Sequence, residues 1–140
     1  MISFQTYDSA LFGIFVVIAT LVVQSLIASF IKAKQPGAIP GKIDESLGHE
    51  SIVYRAHRTF MNSLENTPTM LAAAFLAIFS GADAKWTAIF VWVYAVARLI
   101  HMLGYYFIST SKNPSPRSYF FLIGFIATIA LLVLSAISIL

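Results

Sequence analysis

Residues Ser9–Ile31 read SALFGIFVVIATLVVQSLIASFI, 23 residues without one charge, stopped by Lys32 and Lys34. A bilayer span needs about 20 apolar residues. The chain ends on a second stretch of the same kind, the 23 charge-free residues Ser118–Leu140. Between them lie two more long apolar segments, at about Ser51–Phe79 and Trp86–Ile108. Only 11% of the 140 residues are charged and 59% are hydrophobic, with a mean hydropathy of +0.82. Soluble domains carry about a quarter charged residues. So apolar a chain could not cover a soluble surface. The expectation is an all-α membrane protein: one domain, 1–140, with four transmembrane helices at about 9–31, 51–79, 86–108 and 118–140. Continuous apolar runs of this length do not alternate as membrane strands must.

The connections agree. Gln35–Glu50 is polar and broken by Pro36-Gly37 and Pro40-Gly41. Ser80-Gly81-Ala82-Asp83 is a short turn, and Ser109–Pro116 holds Pro114 and Pro116. The N-terminus lacks a basic region, and its apolar run is too long for a secretory signal, so the first span is expected to be retained. Without cysteine there is no thiol nucleophile and no thiolate metal site. His49, His57 and His101 lack a metal-ligand spacing, so no metal is expected. The net charge of +3 sits at the ends of apolar runs. This fits topology signals and not a nucleic-acid surface. Lys32, Lys34, Lys42, Arg55, Arg58, Lys112 and Arg117 fall on one side, Lys85 alone on the other. The positive side is expected to be cytoplasmic and both termini non-cytoplasmic.

One pattern needs more than a membrane to explain it. Arg55, Arg58, Asn62 and Glu65 are spaced 3, 4 and 3 apart, within about 80° on a helical wheel. Arg98, His101 and Tyr105 share a face of the third helix. Arg117 opens the fourth, after Pro116 at a favourable first helical position. Ionisable residues at membrane depth face a polar interior. One glutamate cannot neutralise four arginines, and the surplus calls for anions. Asn62, Tyr105 and Ser118 add directional hydrogen bonds that suit a shaped ligand. Taken singly, Arg55 and Arg58 could snorkel, Arg98 could pair with Glu65, and Tyr105 could belong to an interfacial belt.

The motifs Arg58-x-x-x-Asn62-x-x-Glu65-Asn66 with Pro68, Arg98-x-x-His101-x-x-x-Tyr105, and Arg117-Ser118 stand in order on three expected helices. In this the chain resembles the membrane-associated proteins in eicosanoid and glutathione metabolism, among them the microsomal glutathione transferases and microsomal prostaglandin E synthase. The resemblance implies a homotrimer of four-helix subunits with glutathione bound between neighbours. It implies that Arg58, Asn62, Glu65, His101, Tyr105, Arg117 and Ser118 contact glutathione, joined by Lys32 (or Lys34) from the end of the first helix. Met61 and Phe121 stand where the prostaglandin synthase has Arg and Tyr, and His101 where the leukotriene synthase has Tyr. A general transferase or peroxidase is therefore expected rather than a dedicated eicosanoid synthase.

The ligand's chemistry matches this set. Guanidinium forks suit two carboxylates, Glu65 suits an ammonium, and Asn62 can bond a peptide group both ways. Arg117, helped by a helix N-terminus and Ser118, would favour the thiolate over the thiol. The thiolate is the nucleophile. Its partner would be an apolar electrophile, or a lipid hydroperoxide, arriving through the bilayer. Two other readings remain open. One is a non-catalytic, lipid-binding relative. The other is a small four-span transporter, although the first, third and fourth spans lack the acidic residue that proton coupling needs. The compact chain, without a basic C-terminal retrieval signal, favours a bacterial inner membrane over the endoplasmic reticulum.

Overall fold

The computed structural model describes residues 4–140. A short 3-10 turn, Phe4–Tyr7, leads into α1 (Asp8–Ala33), followed by α2 (Ile52–Phe79), α3 (Ala84–Phe107) and α4 (Pro116–Ile139). The described residues contain no strand. The protein is an all-helical membrane bundle. Three of its helices, including α1 with the turn before it, are long and apolar enough to cross a membrane. The fourth, α2, is as long but polar over its first half.

Helix ends follow local chemistry. Asp83 caps α3 by accepting from Trp86 N at 2.9 Å, so the helix starts at Ala84, two residues before the apolar run suggests. The α2–α3 turn closes on Gly81, at φ +71°, where a side chain would be strained. There Ala82 N donates back to Ala77 O at 3.0 Å. The Tyr7 hydroxyl donates to Ala82 O, tying the turn before α1 to this one.

α1 packs on α2 and α3, and α4 packs on the same two helices. Small residues make the contacts. Ala73, Ala74 and Ala77 of α2 are buried with Ala10 and Ile14 of α1, Val91 and Ala95 of α3, and Ala127 of α4. Lipid tails are as apolar as leucine, so helices associate through close packing instead. Many large side chains point outward, among them Phe12, Phe15, Leu26 and Phe30 on α1 and Ile126, Val133 and Ile137 on α4, while Tyr94, Met70, Ile78 and Leu131 fill the interior. α1 and α3 approach closely at Gly13, where a Cβ would lie 2.6 Å from Val91 Cγ1. Valine is stiff at χ1 and cannot swing away freely. Gly13→Ala is expected to cost about 1–3 kcal/mol by overpacking, read as a lower unfolding midpoint in detergent. Val91→Ala should restore it in the double mutant, and a lone Gly13→Ala without effect would contradict this packing.

The inward face of α2 is not the charged one. Its buried polar stripe is Thr59, Ser63 and Thr67. Thr59 Oγ1 is satisfied by Arg55 O at 2.8 Å, and Thr67 Oγ1 lies 3.5 Å from the Tyr94 hydroxyl. Glu65 is two residues from Ser63, about 200° around the helix, and is exposed.

Candidate functional site

The C-terminal part of α3 and the first turn of α4 build the site. Pro116 takes the first position of α4, where its missing N–H is no loss. Arg117 follows and is only 5% exposed. Its stem runs past Gly104, where a Cβ would come within 3.0 Å of Arg117 Cγ. Glycine here leaves room for the arginine to reach the Tyr105 ring. The guanidinium carbon lies 4.1 Å from the Tyr105 ring centroid, a distance suited to cation–π attraction. Nη2 donates to Thr110 O at 2.6 Å and Nε to Ser115 Oγ at 3.4 Å, while Nη1 is buried without a partner.

Arg117 and Ser115 border a cavity of about 420 Å³ together with Asn62, His49, His101, Tyr105 and Ser118. The His101 ring sits 5.0 Å from the Tyr105 ring, and its Nδ1 is buried and unpaired. Ser118 Oγ accepts from Ser115 N at 3.2 Å and lies 3.4 Å from Asn113 Oδ1, to which it donates. It therefore fixes the start of α4. Behind the cavity, Arg98 Nη2 donates to Asn62 Oδ1 at 2.8 Å and to Ser63 Oγ at 2.9 Å. Arg98 is thus partnered by two neutral oxygens and not by Glu65. Its grip on Oδ1 leaves the Asn62 amide nitrogen as the group free to face a ligand.

Of the residues singled out by sequence, Asn62, His101, Tyr105, Arg117 and Ser118 border one cavity. Arg58, Glu65 and Lys32 do not. Lys32 borders a different cavity, near His57 and Met61, between α1, the first loop and α2. Arg58 is half-buried. Glu65 is exposed and has no hydrogen bond or ion pair among the described residues. Arg55 serves the fold: its guanidinium donates to the carbonyls of His49 at 2.7 Å, Glu50 at 2.9 Å and Tyr106 at 3.4 Å.

His49 is the residue that sequence reading passed over. It comes from the α1–α2 loop, where no helical period marks it. It is held by its own carbonyl, which also accepts from Ser109 Oγ at 3.0 Å. Its ring meets Tyr54 edge-on at 5.0 Å and Tyr105 at 6.2 Å. Burial, and then the cations Arg117 and Arg58, push its imidazole below the ordinary histidine value, with Glu50 opposing. Its buried Nδ1 has no partner. Among the described residues, no group of three or more His, Cys, Asp or Glu could hold a metal ion.

The cavity thus offers a buried cation with a free N–H, two buried imidazole nitrogens and an oriented amide. It lies beside a helix N-terminus, which adds partial positive charge. Such a site can hold an anion and keep it from protonation. Compared with known families, the chain matches the model of the MAPEG family over residues 9–137. No curated protein and no solved structure matches the chain.

Proposed function

The chain belongs to the MAPEG family, the membrane-associated proteins in eicosanoid and glutathione metabolism, and from that premise we propose that it is a membrane-bound, glutathione-dependent transferase or peroxidase. The observation that carries this reading is the buried Arg117, with Nη1 unpaired, at the wall of a 420 Å³ cavity. That volume falls in the range of small-molecule sites, roughly 300–1,000 Å³. The donor set suits glutathione, which is rich in carboxylate and peptide acceptors and brings a thiol as the nucleophile.

Arg117 is the group that activates. A fixed guanidinium beside a thiol favours the charged form and lowers its pKa. The first turn of α4 acts in the same sense. Thr110, Ser115 and the Tyr105 ring hold the guanidinium in place, so little reorganisation accompanies the reaction. Asn62, fixed by Arg98, presents N–H groups to a peptide carbonyl. His101 and His49, with unpaired Nδ1 atoms, add hydrogen-bonding positions. Ser118 holds the helix start that carries Arg117. The second reactant, an apolar electrophile or lipid hydroperoxide, enters from the bilayer.

The homotrimer is part of the proposal. Its support is that Arg58, Glu65 and Lys32 lie away from the cavity walls, so one copy does not bring all of them to one ligand. A neighbour could supply Lys32 and meet Glu65. Native mass spectrometry from detergent is expected to show a trimer; a stable monomer that still binds glutathione would remove this part of the reading. We place both termini on the non-cytoplasmic side, because seven basic residues lie at the site end of the bundle and one at the other. A C-terminal phosphatase fusion should then be active and a fluorescent-protein fusion dark; the reverse pattern would invert the topology. The proposed membrane is a bacterial inner membrane.

Activity of the purified protein in detergent tests the function. Glutathione should be consumed with an apolar halonitroarene, with a lipid hydroperoxide, or with both. Glutathione binding without turnover on either would mark a non-catalytic, lipid-binding member of the family. Absence of binding would defeat the reading.

A further inference from the structure

Arg98 is a cation without an anion. It is 4% exposed, and the partners of its Nη2 are the neutral oxygens of Asn62 and Ser63. Its Nε is buried with no partner. A guanidinium does not deprotonate in a protein, and an uncompensated charge in a low-dielectric interior is costly. The acidic residues of the described chain do not supply the counter-charge. Asp44, Glu45 and Glu50 lie in the α1–α2 loop, and Asp8 and Asp83 at the opposite ends of α1 and α3. Asp83 is 15 residues from Arg98, about 22 Å along the helix. Glu65 is exposed and unpaired.

Arg98 also borders a second cavity, of about 70 Å³, between α2, α3 and α4. Asn66, Thr69, Tyr94, Phe125 and Thr128 border it as well. One water needs about 10–15 Å³ of such space. The cavity therefore holds a few small species and is too small for a tripeptide. The Asn66 amide nitrogen is already committed to Asn62 O at 2.7 Å, and Thr128 Oγ1 to Gly124 O at 3.1 Å. Arg98 thus brings an unpartnered N–H to this wall, beside the hydroxyls of Thr69 and of Tyr94, the latter 3.5 Å from Thr67 Oγ1.

We infer that this cavity binds a small monovalent anion of the halide class, held by Arg98. One cation matches one negative charge. A dianion such as sulfate would bring an excess charge into the same interior. The site lies beside the Arg117 cavity, with Phe121 as a shared wall, and does not rest on the glutathione reading. The two are linked by Arg98, which touches Asn62. An anion that holds Arg98 also holds the amide that borders the larger cavity.

The test uses the full chain in neutral detergent, exchanged into gluconate at fixed ionic strength and titrated with chloride or bromide. The unfolding midpoint should rise saturably, by about 4 °C for each kcal/mol of binding linkage. Sulfate should not reproduce the rise. Chloride-35 resonance should broaden, and bromide should reverse the broadening. Arg98→Met should abolish both effects. Thr128→Leu, which fills the cavity and keeps the arginine, should do the same if Arg98→Met does not fold. A rise that does not saturate, or that persists equally in the variants, would reduce the effect to general salt action and overturn the site. So would the absence of any halide effect, with Arg98 then solvated by water or paired with Glu65 of a second copy.

Discussion

Arg117→Ala is expected to lower turnover at pH 7 by about tenfold or more while glutathione still binds. A neighbouring cation shifts an acid's pKa by about 1–3 units. Its removal returns the thiol towards about 8.5, where little thiolate exists at neutrality. Turnover should therefore recover as pH rises towards that value. The direction follows from charge: a cation stabilises the deprotonated form, so its loss is felt below the thiol pKa and vanishes above it. Arg117→Lys restores charge without the fork and should fall between the two. Arg117 also ties Thr110 O and Ser115 Oγ to the start of α4. The thiol pKa must therefore be read directly beside the unfolding midpoint. A variant that loses glutathione affinity with an unchanged thiol pKa would make Arg117 a carboxylate anchor. Unchanged binding and turnover together would leave it a topology charge.

Glu65→Gln should weaken glutathione binding by ten- to a hundredfold, corresponding to the loss of one charge-assisted hydrogen bond at about 1.5–3 kcal/mol. Glu65 is exposed and unpartnered within one copy. The substitution should therefore leave the subunit's own stability nearly unchanged, and its effect belongs to the ligand or to contact between copies. Calorimetry on the proposed trimer separates the outcomes. Lower affinity in an intact trimer supports an ammonium partner. Equal affinity would show that Glu65 does not touch the ligand.

The two charge-free helices were legible at once, because an uninterrupted apolar run of that length has few other uses. The spacing of His101 and Tyr105 puts both on the face of α3 that borders the cavity. What the sequence hid is which face of α2 turns inward. Charges stand out in a sequence, and Thr59, Ser63 and Thr67 do not. Yet small hydroxyls are cheap to bury once satisfied, as Thr59 is by the carbonyl one turn back. They form the buried stripe and send Glu65 outward. Pairing of Arg98 with Glu65 therefore gave way to Ser63 and Asn62, whose oxygens lie on the side that α3 reaches. His49 was not legible, because a loop residue reaches a cavity through tertiary contacts alone. Gly104 was equally silent: its role is the space it leaves for the Arg117 side chain, and that requires α4 to be in place.

The central claim is that the protein holds glutathione as a thiolate. Ultraviolet difference absorbance of glutathione added to the purified protein reads it directly, through the thiolate band followed against pH. The bound thiol should titrate at least about one unit below the free value of about 8.5, with the shift lost in Arg117→Ala. A bound thiol that titrates as it does in free solution would contradict it.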